Sequence, residues 1–104
     1  MKGQIFIDNS EIGTVNFKII DESMGAIGGD FVATENYREF KNEVQKLTNK
    51  NGNANSENFK FRVFVDNVEF NPIGGICLTD SKEFAEIYLD VAGLTQSELE
   101  KVRG

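Results

Sequence analysis

The sequence predicts an α+β fold: an antiparallel sheet of about five to seven strands built from hairpins, with one main helix and a short C-terminal helix covering one face. Three observations carry this. Residues alternate apolar and polar with period two over 13–20 and again over 58–65. Between them, Tyr37, Phe40, Val44 and Leu47 are spaced three, four and three apart, which puts them along one side of a helix. Turn-forming Asp-Asn pairs follow apolar runs twice, at Asp8-Asn9 and Asp66-Asn67.

Taken in order, Ile5-Phe6-Ile7 opens a hairpin that turns at Asp8-Asn9-Ser10-Glu11 and returns through 13–20, with Val15, Phe17 and Ile19 on the buried side. Residues 21–25 form a loop. Ala26 to Ala33 follows as an irregular strand, in which Gly28-Gly29 permits a bulge or a close backbone approach. The helix is expected over about 36–49, with Asn36 as N-cap, Glu39 as its capping-box partner, and Lys46 and Lys50 at its negative end. Residues 49–58 (Asn-Lys-Asn-Gly-Asn-Ala-Asn-Ser-Glu-Asn) are rich in turn formers and read as a flexible loop.

Phe59, Phe61, Val63 and Val65 share a strand face, and Asp66-Asn67 is a two-residue hairpin turn into Val68-Glu69-Phe70, which Pro72 ends or places at an edge. Ile76-Cys77-Leu78 is a short strand after Gly74-Gly75, and Thr79-Asp80-Ser81-Lys82 reads as a turn. Residues 83–92 fit two periods. As a helix, Phe84, Ile87, Tyr88 and Val91 share a face; as a strand, Ile87, Leu89 and Val91 alternate with Glu86, Tyr88 and Asp90. The strand is favoured because Gly93 and a capping box, Thr95 with Glu98, follow at once and open a helix over about 95–103. Phe6 and Phe64 point opposite to their apolar neighbours. That predicts either strands covered on both faces or a binding surface.

Two segments echo each other. Phe6-Ile7-Asp8-Asn9 resembles Phe64-Val65-Asp66-Asn67, and Ile27-Gly28-Gly29 resembles Ile73-Gly74-Gly75. Their offsets are 58 and 46 residues. A short repeat holds its period, so reuse of hairpin and corner chemistry explains the echo better. Were the repeat real, the two Gly-Gly corners would flank one cleft.

The 104 residues are sized for a single domain, and nine phenylalanines among 39% hydrophobic residues suffice for a core. No apolar run approaches the roughly 18 residues of a membrane span, and an acid at Asp8 arrives too early for a signal peptide. One cysteine, Cys77, forms no internal disulfide, so a cytoplasmic location is expected. Its apolar neighbours make it a small hydrophobe rather than a reactive thiol.

Function is approached by exclusion. There is no histidine, which removes the commonest general base and metal ligand together with Ser-His and Cys-His nucleophile pairs. A lone cysteine excludes an all-cysteine metal site within one chain. No catalytic residue, cofactor or metal is therefore assigned, and an enzyme is disfavoured. The glycine clusters match neither the dinucleotide nor the phosphate-loop pattern. Set on Gly52 as the sixth position, a calcium loop would place Leu47, Asn49, Asn51 and Asn58 at its ligand positions, with no carboxylate.

Seventeen acids against eleven bases give a net charge of −6, and no basic run suits nucleic acid. From Asp66 onward there are eight acids and three bases, so five of those six excess charges lie in the last 39 residues. The densest acidic stretch holds Glu83, Glu86 and Asp90, with Tyr88 between the last two. Tyrosine supplies contact area and carboxylates complement Lys and Arg, so these four residues form the candidate partner-binding surface. The expected function is a small acidic protein-binding module, an immunity-type or inhibitor protein that masks a basic partner. One alternative is a small-molecule or hard-metal site lined by Asp80, Glu86 or Asp90. Another is a homodimer paired through strand edges.

Overall fold

A computed structural model describes residues 1–83 and 86–103. The architecture is α+β, with nine strands among the described residues rather than five to seven. In chain order they are β1 (Lys2–Ile7), β2 (Ser10–Asn16), β3 (Lys18–Asp21), β4 (Ala26–Ala33), the helix α1 (Arg38–Asn51), β5 (Ala54–Asn55), β6 (Phe61–Val65), β7 (Val68–Phe70), β8 (Gly75–Asp80), β9 (Ile87–Ala92) and the helix α2 (Gln96–Arg103). All pairings are antiparallel, in the order β5-β8-β9-β4-β2-β1-β6-β7, with β3 also on β4.

The extra strands have local causes. The single expected strand over 13–20 is broken at Phe17: β2 pairs with the C-terminal half of β4, β3 with its N-terminal half, and the sheet curls at the break. β4 thus belongs to both halves of the sheet, with β9 on its other side. Gly29 makes this geometry feasible, because a Cβ there would overlap the Asn16 carbonyl at the break. The close backbone approach expected of the glycine pair is what is found.

Both turns of the Asp-Asn type form. In the second, Asp66 and Asn67 both have positive φ, 52° and 63°; in the first only Asp8 does, at 54°, so the Asp at the leading turn position is what the two share. That explains the echo between the two segments as shared turn chemistry. Gly28-Gly29 lies within β4, whereas Gly74 precedes β8 and Gly75 begins it, so the second half of the echo has no common structure.

Boundaries move elsewhere. A short 3₁₀ turn, Glu35–Tyr37, precedes α1. The Asn36–Glu39 capping box does not form, because Asn36 lies inside this turn and Tyr37 takes the position before α1; the Asn36 amide donates to the Glu11 carbonyl, which also accepts the Thr34 hydroxyl. These bonds anchor the helix entrance to the start of β2. α1 runs on to Asn51 and ends on Gly52, whose φ of 88° is the left-handed cap conformation. Part of the Asn-rich stretch is therefore regular: Ala54 is buried, Asn55 pairs with Cys77, and the Asn55 and Asn58 side chains accept nearby backbone N–H groups. The expected turn at Thr79-Asp80 is strand instead, because β8 continues until Asp80 pairs with Ile87. Of the ambiguous 83–92 stretch, Ile87–Ala92 is strand; Phe84, invoked for the helical alternative, lies outside the described residues.

One face of the curled sheet holds the core. Ile5, Ile7, Val15, Ile27, Val63, Leu78, Leu89 and Val91 are buried against Val44 of α1 and Leu99 and Val102 of α2. Each such aliphatic side chain contributes about 1.5–3 kcal/mol. α2 opens with the expected capping box: Thr95 Oγ1 accepts from the Glu98 N–H at 3.2 Å, and Glu98 Oε1 accepts from the Thr95 N–H at 2.9 Å. The other carboxylate oxygen of Glu98 accepts the Asn71 N–H, just past β7. Among the described residues, no helix is long and apolar enough to cross a membrane.

Candidate functional site

The face of the sheet turned away from the core carries two features. On β1, β6 and β7, Phe6 and Phe64 pack edge to face at 5.3 Å, and the Arg62 guanidinium lies 5.0 Å from the Phe64 ring centre while forming a two-bond ion pair with Glu69 at 3.0 Å. The two phenylalanines that broke the alternation are half-buried by these neighbours in the sheet. No second layer of chain is needed to explain them.

The second feature is a groove of about 830 Å³ where β2 and β3 meet β4 and β9. Its construction follows from strand parity. On the outward side, Lys18 stands opposite Gly28, and Gly28 opposite Asp90; two residues along β4, Asp30 stands opposite Tyr88. Gly28 has no side chain, so Ile20 and Tyr88 converge above it: the Ile20 Cδ1 and Tyr88 hydroxyl lie 2.6 and 2.7 Å from where a Cβ would sit. Val32 continues the apolar lining along β4, and Lys2 and Lys18 line the wall away from β9. Ile20, Val32 and Tyr88 are 54%, 66% and 40% exposed, so three large apolar side chains meet solvent around one hollow.

Electrostatics polarise it. Partial burial pushes the Tyr88 phenol above its usual pKa, and the negative charges of Asp90 and Asp30 push the same way. Asp90 itself is raised by desolvation. The ion pairs among the described residues are Arg62–Glu69 and Arg103–Glu22, so neither Asp30 nor Asp90 has a cation paired with it.

The four residues expected to form the partner surface separate into two groups. Tyr88 and Asp90 lie on β9 facing outward, as strand alternation requires, and Glu86 immediately precedes that strand and is exposed. Glu83 is exposed in the turn after β8, where its N–H donates to the Ser81 hydroxyl. Asp80 is not part of this face. It is 3% exposed on the core side, where its carboxyl oxygens accept from the Tyr37 hydroxyl at 2.7 Å and the Gln45 amide at 3.3 Å. Its own N–H donates to the Thr48 hydroxyl at 3.2 Å.

A site combining Asp80 with Asp90 is therefore geometrically closed: the two carboxyls are on opposite faces of the sheet. No group of three or more acidic or cysteine side chains among the described residues is placed to hold a metal ion. The two Gly-Gly corners do not flank one cleft either. Gly74 and Gly75 border a separate hollow of about 310 Å³ beside Ser56 and Cys77, whose thiol is raised above its ordinary pKa by burial and by Asp90.

Sequence reasoning missed Asp30, Ile20 and Val32. The signal was present in part: Asp30 and Val32 are two apart on one strand, and both follow a glycine pair already marked as unusual. What it could not supply was the pairing of β4 with β9, which brings Asp30 to Tyr88 across 58 residues. No protein-family model, curated protein or solved structure matches the chain. The reading of this face rests on its own chemistry.

Proposed function

We propose that this chain is a protein-binding module that masks a basic partner, in the manner of an inhibitor or immunity protein, through the outward face of β3, β4 and β9. The observation that carries this is the exposed Tyr88 set between Asp30 and Asp90, beside a hollow lined by Ile20 and Val32. An aromatic anchor with apolar neighbours and flanking charge is the composition of a protein interface core. The net charge of −6 accelerates encounter with a cationic surface. Glu83 and Glu86 extend the negative rim. Action in a reducing cytoplasm accords with the single unpaired Cys77.

The test is capture of partners from cells of origin on immobilised protein, washed through a salt gradient, beside an Asp30→Asn/Asp90→Asn variant. A basic protein retained near stoichiometry, released by salt and lost from the variant is the expected result. Retention indifferent to salt, or equal on both columns, refutes the reading.

A further inference from the structure

We infer that the groove beside Gly28 receives an extended segment of the partner, which lays apolar side chains on Ile20 and Val32 and sets a Lys or Arg on the same side of the segment against Tyr88, between Asp30 and Asp90. This rests on the protein-binding reading above and specifies which part of the face gives affinity and what chemistry it selects.

Depth argues for a segment rather than a small molecule. Small-ligand sites enclose most of their ligand. Here Ile20 and Val32 are themselves more than half exposed, so the walls are low and a small guest would stay largely in water. A protein segment brings its own surroundings to cover the remainder. Burying Ile20 and Val32 then removes the two most exposed apolar residues of the groove from solvent.

Charge argues for the cation and for its position. The β9 side presents Asp30 and Asp90 around an aromatic face, which a guanidinium or ammonium engages both by ion pairing and through the ring. The opposite wall presents Lys2 and Lys18. Those cations repel a basic side chain placed the wrong way round, so the groove discriminates orientation as well as charge. Gly28 lets the arrangement form, because its missing side chain leaves room for Ile20 and Tyr88 to close over it between Lys18 and Asp90, the residues that stand opposite it on either side.

The probe is a capped seven-residue peptide, Ser-Leu-Ser-Arg-Ser-Leu-Ser, whose leucines and arginine share one side when extended, titrated against ¹⁵N-labelled protein. Two controls replace arginine by glutamate and leucine by serine. Saturable shifts of the Gly28 and Gly29 amides with the leucine–arginine peptide are expected. Affinity should fall about five- to tenfold in Asp30→Asn/Asp90→Asn, and also when either control peptide is used. Ile20→Ser/Val32→Ser tests the apolar contribution at exposed positions that leave the core intact.

Equal shifts from the glutamate peptide overturn the inference. So do shifts confined to the Phe6–Phe64 face, no saturation at millimolar peptide, or concentration-dependent shifts without peptide, which would mean that a second copy fills the groove. A basic partner captured equally by wild type and Ile20→Ser/Val32→Ser, but lost in the Asp30→Asn/Asp90→Asn variant, would sink the groove while leaving the broader function standing.

Discussion

Asp80 shows how differently two aspartates of one sheet are used. Three polar groups of the Tyr37–Thr48 stretch converge on it, and none of the buried side-chain polar atoms among the described residues lacks a partner. Asp80→Ala would leave the Tyr37 hydroxyl and the Gln45 amide buried without acceptors, at about 2–4 kcal/mol in denaturant unfolding; Asp80→Asn, which keeps one acceptor, should cost less. Tyr37 is raised far above the ordinary phenol value, first by burial and then by Asp80. An acid held protonated in the fold binds more protons folded than unfolded, so stability falls as pH rises past about 10, the unfolded tyrosine's value. Tyr37→Phe should remove that alkaline slope, and in a phenolate absorbance titration Tyr88 should ionise before Tyr37. Asp90 follows the same sign at the acidic end. Its pKa is raised by desolvation, so folded stability declines as pH climbs from 3.8 through the raised value. Asp90→Asn should melt no lower than wild type at neutral pH, and under the proposed function should bind a basic partner less well.

At the scale of elements, alternation and capping were legible where interactions are local. Strand alternation in β2 and β6, both Asp-Asn turns and the Thr95–Glu98 box form, because each depends on residues within a few positions of one another. The Asn36–Glu39 box fails because a 3₁₀ turn takes up Glu35–Tyr37, so Asn36 lies ahead of the Tyr37 cap position, tied by its amide to Glu11, 25 residues away. The break at Phe17 and the strand character of Thr79-Asp80 depend likewise on distant partners, β4 and β9. For the candidate site, Tyr88, Asp90 and Glu86 were readable along one strand, whereas Asp30, Ile20 and Val32 join them only through cross-strand pairing. Two substitutions probe these elements. Gly29→Ala would drive a methyl into the Asn16 carbonyl at the curl and should cost several kcal/mol, on the order of other overpacked sites, in chemical denaturation. Glu98→Ala removes the carboxylate half of the α2 capping box, which accepts the Thr95 N–H, together with the acceptor for the Asn71 N–H, and should lower stability by about 1–2 kcal/mol.

Across the whole molecule, charge and topology have separate consequences. With a net charge of −6, association with a basic partner should slow by about tenfold between low and physiological ionic strength, while dissociation changes much less; stopped-flow mixing would separate the two. Topology concerns the order in which the chain can assemble. In the sequence of neighbours β5-β8-β9-β4-β2-β1-β6-β7, the strands made before α1 form an unbroken central block, and those made after it attach to both flanks of that block. The later half therefore has no continuous sheet of its own: β5, β8 and β9 are separated from β6 and β7 by the entire earlier half. During synthesis the first strands can zip together by hairpins while the rest of the chain is still being made, and the later ones must then dock on a template already in place. A backbone nick between Gly52 and Asn53 would accordingly yield a leading fragment able to collapse and a trailing fragment that stays unstructured until the two are mixed. The fold thereby contains the layout of a split reporter whose trailing half gains order only in the company of the leading one.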